Sequence, residues 1–323
     1  MLLNLLEYHW AEHIDDALML LSRPDVKTVA IAGGTYLLGQ KDDSIQAVVD
    51  LRDLELAYIS ADARGIHIGA MTTLQSMVDS PVLKDLAAGL LSRAALASSF
   101  SRLIRNCATL GGTLGAGVAS QADLLTALAV MDAEVLLRSG SKTQVNLSGG
   151  TIDRPGLPLS GVTYKGKQER RVPFGSLEIE RRPNELIIEV IVPRPDRGCG
   201  SSFMRIGRTP TDIALLNAAA FVQVTGGVYS RVRLALGGVN MGAVRLQAVE
   251  RQLEGQPAPN AAAWTQFITP ILQAGMVDFH PPSDFRASDG YRRASGTSLA
   301  YRVLEEATNV SHWHGMVSTE EGM

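Results

Sequence analysis

A short apolar run, Val29–Ala32, ends directly in Gly33-Gly34-Thr35, and a second glycine pair, Gly111-Gly112, sits between Thr109-Leu110 and Thr113. A strand that stops in paired glycines enters a tight loop. Without a Cβ the chain can turn there, and its backbone N–H groups can close on an anion. Thr35, Thr109 and Thr113 add hydroxyls beside both loops. Neither loop continues into Gly-Lys-Ser/Thr, and neither is G-x-G-x-x-G. A tight turn accounts for either loop alone. Two of them in one domain point to a diphosphate, and the lack of a lysine clamp favours a dinucleotide over a triphosphate.

The surrounding pattern alternates helix and strand. Asp15 and Asp16 open a short amphipathic helix, Ile45–Leu51 and Ile66–Ala70 read as strands, and Lys84–Ser98 reads as helix with breaks at Gly89 and Ser92. A helix is expected over 123–131 and a strand over 134–138. The polar Ser139–Lys167 stretch has the length and composition of a functional loop. Beyond Pro193-Arg-Pro195 a hairpin turns at Thr225-Gly226-Gly227. Helices follow at about 244–253, 261–272 and 288–307, and then a polar tail. The expected divisions are 1–58, 59–193, 197–307 and the tail 308–323.

Composition narrows the function. The 323 residues carry 30 Lys+Arg against 33 Asp+Glu, a net charge of −3, which gives no electrostatic footprint for nucleic acid. The longest uncharged run, 255–277, holds three prolines and is no membrane span. The N-terminus has no basic segment before its leucines, so a cytoplasmic protein is expected. Two cysteines, Cys107 and Cys199, cannot hold a four-thiolate cluster. His312-x-His314 lacks a third metal ligand, His9 and His13 lie on a helix face with acidic neighbours, and the pairs Arg170-Arg171 and Arg181-Arg182 read as solvated surface.

Six ordered motifs add a resemblance. Ala32-Gly-Gly-Thr-Tyr-Leu-Leu38, Ile68-Gly-Ala-Met-Thr-Thr-Leu74 and Ile104-Arg-Asn-Cys-Ala-Thr-Leu-Gly-Gly112 are similar to signatures of the FAD-binding medium subunits of molybdenum hydroxylases, the carbon monoxide dehydrogenase and xanthine dehydrogenase family. Asp212-Ile-Ala214, Ala235-Leu-Gly-Gly-Val239 and Ser283-Asp-Phe-Arg-Ala-Ser288 with Tyr291-Arg-Arg293 resemble its C-terminal domain.

The resemblance implies an α+β fold. It would comprise a two-lobed FAD domain of the vanillyl-alcohol-oxidase (PCMH) type and a small α+β domain with a three-stranded sheet. Ala32, Gly33, Gly34, Thr35, Tyr36 and Leu37, with Thr109, Leu110, Gly111, Gly112 and Thr113, would hold the FAD pyrophosphate. Asp123 would meet the nucleotide end, and Arg205 would lie near the cofactor. No side chain is implied as catalytic. A large molybdopterin subunit and a small subunit with [2Fe–2S] clusters are the implied partners, in a dimer of heterotrimers that passes electrons through FAD to an external acceptor. A stand-alone flavin reductase and a flavin-free scaffold are the competing readings. The sequence departs from the family at Tyr36 (usually Asp) and Thr113 (usually Asn), and the long 139–167 segment has no cysteine for an extra cluster.

Overall fold

The computed structural model describes residues 2–117, 122–144, 162–196, 198–209 and 211–320. At the N-terminus, β1 (Glu7–Trp10), α1 (Ile14–Leu21), β2 (Thr28–Ile31) and β3 (Ala47–Asp50) build a three-stranded parallel sheet in the order β1-β3-β2. The central strand, Ala47-Val-Val-Asp50, is buried throughout. Burial works against the Asp50 charge, yet the Tyr8 hydroxyl and Arg52 outweigh it and hold this carboxyl below the usual range.

A five-stranded antiparallel sheet comprises β4 (Ile59–Ala61), β5 (Ile66–Gly69), β6 (Glu134–Gln144), β7 (Val162–Pro173) and β8 (Glu185–Val192), in the order β4-β5-β8-β6-β7, with the single turn α8 (Leu177–Glu180) between β7 and β8. All eight residues of β8 are buried. Leu186 and Ile188 pack into a core with Leu18, Val49 and Leu54 of the N-terminal unit. Ile187, Val190 and Val192 join a second core. Its other wall comes from α2 (Leu74–Asp79), α3 (Pro81–Asp85), α4 (Leu90–Ser98), α5 (Arg102–Cys107), α6 (Leu110–Ala116) and α7 (Ala122–Val130).

The C-terminal sheet is antiparallel, in the order β12-β11-β10-β9, from β9 (Cys199–Ile206), β10 (Leu216–Thr225), β11 (Val228–Gly238) and β12 (Met241–Arg245). The period of two along β10 sorts its faces. Leu216, Ala218, Ala220 and Val222 face the core built with α9 (Gln247–Leu253), α10 (Trp264–Gly275) and α11 (Asp289–Glu320), while Ala219 and Phe221 join the core that contains α7.

The mixed helix-and-sheet class holds, with differences of detail. The C-terminal sheet has four strands where three are expected, because Asn240 (φ 59) turns the chain back and Met241–Arg245 pairs with β11. The segment 84–98 is not one helix. Ala87, Ala88 and Gly89 are left-handed (φ 46, 52 and 74), the buried Ser201 hydroxyl donates to the Ala87 carbonyl, and Ser92 stays inside α4. The expected polar tail is helical through Glu320, where Ser311 donates to the Gly198 carbonyl and accepts from the Val224 N–H. The ends of the expected 139–167 loop pair as β6 and β7, and residues 145–161 lie outside the described residues. Among the described residues no helix is long and apolar enough to cross a membrane, and no group of three His, Cys, Asp or Glu could hold a metal.

The turn between α7 and β6 is tied to the C-terminal sheet by charge. Asp132 (φ 48) accepts from Arg231, from Arg233 Nε at 2.8 Å and from Arg245 Nη1 at 2.7 Å. Burial opposes this charge, but the Arg231 and Arg233 hydrogen bonds keep the carboxyl below its ordinary value. An acid held low stabilises the fold above its unfolded pKa and loses that contribution as pH falls through the folded value. Asp132→Asn is therefore expected to cost about 2 kcal/mol near neutral pH. In urea titrations the gap to the parent chain should begin to narrow near about pH 4, the unfolded carboxylate value, and close as pH falls through the lower folded value.

Candidate functional site

Strand β2 delivers Ala32-Gly33-Gly34-Thr35 to the C-terminal edge of the parallel sheet. Gly33 sits against α5: a Cβ there would lie 1.7 Å from the Cys107 carbonyl oxygen, so only glycine allows the two backbones to meet. Gly34 has φ 69 and turns the chain into the short 3-10 helix Leu37–Gly39, where its carbonyl accepts from the Leu38 N–H. Among the described residues, no backbone or side-chain acceptor is hydrogen-bonded to the N–H groups of Gly33, Gly34, Thr35 or Tyr36. Four donors in succession stand without a partner among the described residues.

The second glycine pair is not a loop. Thr109 is the N-cap of α6, and its Oγ1 accepts from the Gly112 N–H at 3.0 Å. The neighbouring donors are engaged within the protein: Leu110 N–H to the Thr72 carbonyl at 2.9 Å, Gly111 N–H to the Ala70 carbonyl at 2.7 Å, and Thr113 N–H to the Thr109 carbonyl at 2.9 Å. The Thr113 hydroxyl also donates to the Thr109 carbonyl and is 1% exposed. A hydroxyl that accepts through its oxygen keeps one proton to donate, and Thr109 is in that state. The first loop thus offers backbone donors, whereas the second offers a rigid wall and one hydroxyl.

Both segments line one cavity of about 360 Å³. Thr28, Val29 and Ala30 carry it back along β2, a run of roughly 13 Å from Ala32 to Thr28 at strand rise. Met71, Leu51, Leu186 and Ile187 give it apolar walls, and Arg181, Pro183 and Glu185 stand at one side. The Glu185 carboxylate is clamped by Arg170, Nε to Oε1 and Nη2 to Oε2, both at 2.8 Å. Those bonds hold it below the usual carboxylate range, so it stays ionised with both oxygens occupied.

Ala32, Gly33, Gly34, Thr35, Tyr36 and Leu37 meet Thr109, Gly111, Gly112 and Thr113 in this lining, and Leu110 is buried in the core behind it. Asp123 and Arg205 are placed elsewhere, against each other. Asp123 is 4% exposed, lies 3.6 Å from Arg205 Nε, and accepts from Asn217 Nδ2 at 2.8 Å. Burial raises its pKa, and Arg205 opposes that rise. A buried carboxylate requires such partners. Asn217 in turn accepts from Thr126 Oγ1, so this set ties α7 to β9 and β10.

The wall from β8 and Arg181 was not read as site from the sequence. Its apolar residues look like any buried strand, and Arg181 looks like surface. Ala70 and Met71 did carry a signal, since they lie inside the Ile68–Leu74 motif. His314 contacts the Cys199 carbonyl through Nδ1 at 2.8 Å, which makes it a packing group of α11.

Comparison with known proteins bears on the chain as a whole. Residues 4–150 match the family model for the FAD binding domain in molybdopterin dehydrogenase, and residues 201–307 match the CO dehydrogenase flavoprotein C-terminal domain. The putative xanthine dehydrogenase FAD-binding subunit of Escherichia coli is 28% identical, covering 93% of this chain and 95% of that one. The carbon monoxide dehydrogenase medium chain of Hydrogenophaga pseudoflava is 23% identical, covering 93% and 96%. In fold, the chain matches a solved carbon monoxide dehydrogenase from Hydrogenophaga pseudoflava with a TM-score of 0.77 at 24% identity, over 95% and 98% of the two chains.

Gly33→Ala should force the first loop away from Cys107 and cost about 3 kcal/mol. Gly115→Ala, where an added Cβ meets nothing within 4 Å, is the control. It should stay within about 1 kcal/mol of the parent in thermal unfolding.

Proposed function

The chain belongs to the flavoprotein family of the molybdopterin dehydrogenases, and from that premise we propose that it carries FAD as the electron-transfer subunit of a molybdopterin and iron–sulfur dehydrogenase complex. In this reading electrons from the [2Fe–2S] clusters of a small subunit leave through this chain to an external acceptor, and a large molybdopterin subunit oxidises the substrate. The assembly would be a cytoplasmic dimer of heterotrimers. The observation that carries the reading is the row of four N–H groups at Gly33–Tyr36 with no partner among the described residues, in the lining of a cavity that Thr109 also lines.

The residues present fit a dinucleotide. The N–H groups of Gly33, Gly34, Thr35 and Tyr36 would take the pyrophosphate, and the Thr35 and Thr109 hydroxyls would add donors. Met71, Leu51 and Ile187 would exclude water along a ring system. FAD, when bound, supplies the capacity to exchange both one and two electrons. This chain's residues hold and orient it. The Leu38 N–H closes the first loop onto the Gly34 carbonyl and Gly111 fixes α6 to Ala70, while Asp123 and Arg205 act at one remove by fixing α7.

Glu185 lines the cavity but is held ionised by Arg170, so it is no proton donor. That argues against the stand-alone reductase, which needs an acid in this chain. Tyr36 replaces an acidic side chain beside the open donors, which removes a negative charge from the pyrophosphate's neighbourhood.

The purified chain should absorb near ~370 and ~450 nm and release about one FAD per chain on heating. Gly34→Ala, which forces a side chain onto φ 69, should weaken FAD binding by at least about tenfold, or 1.4 kcal/mol. A colourless parent chain that also refuses added FAD overturns the reading and leaves the scaffold.

A further inference from the structure

The corner between α4 and α5 exposes four large apolar side chains within nine residues: Leu96 (49%), Phe100 (68%), Leu103 (79%) and Ile104 (44%). Phe100 is held there. Arg105, 7% exposed, donates from Nη1 to the carbonyls of Ser99 and Phe100 at 2.6 and 3.0 Å, and from Nε to Gln75 Oε1 at 2.9 Å. A buried guanidinium that fixes the backbone beneath an exposed aromatic reduces the conformational entropy lost when something covers that aromatic. The corner runs straight into the cavity: α5 ends at Cys107, whose carbonyl meets Gly33, and Ala108 and Thr109 line the cavity wall.

Charge decides what kind of surface fits. From residue 86 to 122 the chain has three arginines and neither aspartate nor glutamate. Arg105 is used internally. Arg93, three residues before Leu96 on α4, and Arg102, the first residue of α5, are exposed and have no ion pair among the described residues. Asp79, the acid bonded nearest this network, is tied to Gln75 Nε2 at 2.9 Å. An apolar centre with an unpaired arginine rim has the anatomy of a protein–protein contact whose partner supplies carboxylates.

Resting on the electron-transfer reading above, we propose that this corner seats the iron–sulfur subunit, with Leu96, Phe100, Leu103 and Ile104 as the apolar centre and Arg93 and Arg102 pairing with acidic residues of that subunit. The seat places the electron donor against the cavity wall at Cys107–Thr109. The exposed Cys107 thiol then lies at the edge of the contact, and the buried Cys199 does not.

The test uses the full FAD-loaded chain and the separately purified iron–sulfur subunit. Phe100→Glu/Leu103→Glu should bind that subunit about a hundredfold more weakly than the parent. Arg93→Glu/Arg102→Glu should weaken it about tenfold at low salt, with the difference shrinking as salt rises. FAD content and thermal midpoint should not change in either variant. Alkylation of Cys107 should slow when the subunit is added to the parent chain. If the parent chain holds FAD and binds the subunit while both variants bind equally well, the corner is wrong and the electron-transfer reading stands. If either variant instead alters self-association or binding of the large subunit and leaves the iron–sulfur subunit bound, the occupant is wrong. A parent chain that holds FAD but does not bind the subunit overturns both.

Discussion

Strand β8 is buried on both faces, and the other layers are arranged around that constraint. Leu186 and Ile188 complete the small core of the parallel sheet, while Ile187, Val190 and Val192 complete the larger core beneath α2–α7. Its two acids would be untenable in such a place without partners. Glu185 has Arg170 on both oxygens, and Glu189 accepts from Tyr58 at 2.8 Å and lies 3.1 Å from His67. Because one strand serves both units, the gap between them has a fixed width. The cavity is that gap, bounded by β2 on one side and by Leu186 and Ile187 on the other.

Within the gap, two glycine segments of similar sequence take different tasks. The first keeps its N–H groups open because Gly33 rests on a carbonyl and Gly34 turns left-handed, so no helix or strand pairs them. The second becomes the first turn of α6, and its N–H groups pair with Thr72, Ala70 and Thr109. Rigidity on one side and unsatisfied donors on the other make a binding site that does not have to reorganise.

Local signals were legible wherever a single rule applied. Val29–Ala32 ending in glycines gave β2 within a residue, and Gly226-Gly227 gave the turn between β10 and β11. The ordered motifs gave the family and the fold class. What escaped depends on partners distant in sequence. Met241–Arg245 pairs with β11 but looks like the start of the next helix. Ala87 and Ala88 are good helix formers, yet they turn left-handed where Ser201 holds the carbonyl of Ala87. The polar end of α11 remains helical because Ser311 reaches Gly198 and Val224. The resemblance assigns Asp123 to the nucleotide end of the cofactor, and nothing local in the sequence shows that it pairs with Arg205 and Asn217.

The position of β8 in the chain also fixes an order of events during synthesis. Its neighbour β5 is complete at Gly69 and the parallel sheet at Asp50, yet β8 begins only at Glu185. A nascent chain therefore lacks Leu186 and Ile188 over Leu18, Val49 and Leu54 until the ribosome has passed Val192. Such long-range closure is slow and leaves sticky surface exposed meanwhile. The glycine segments are made early, but the wall opposite them is made only when the chain has reached Val192 of its 323 residues, so the cavity has no second side until more than half of the chain exists.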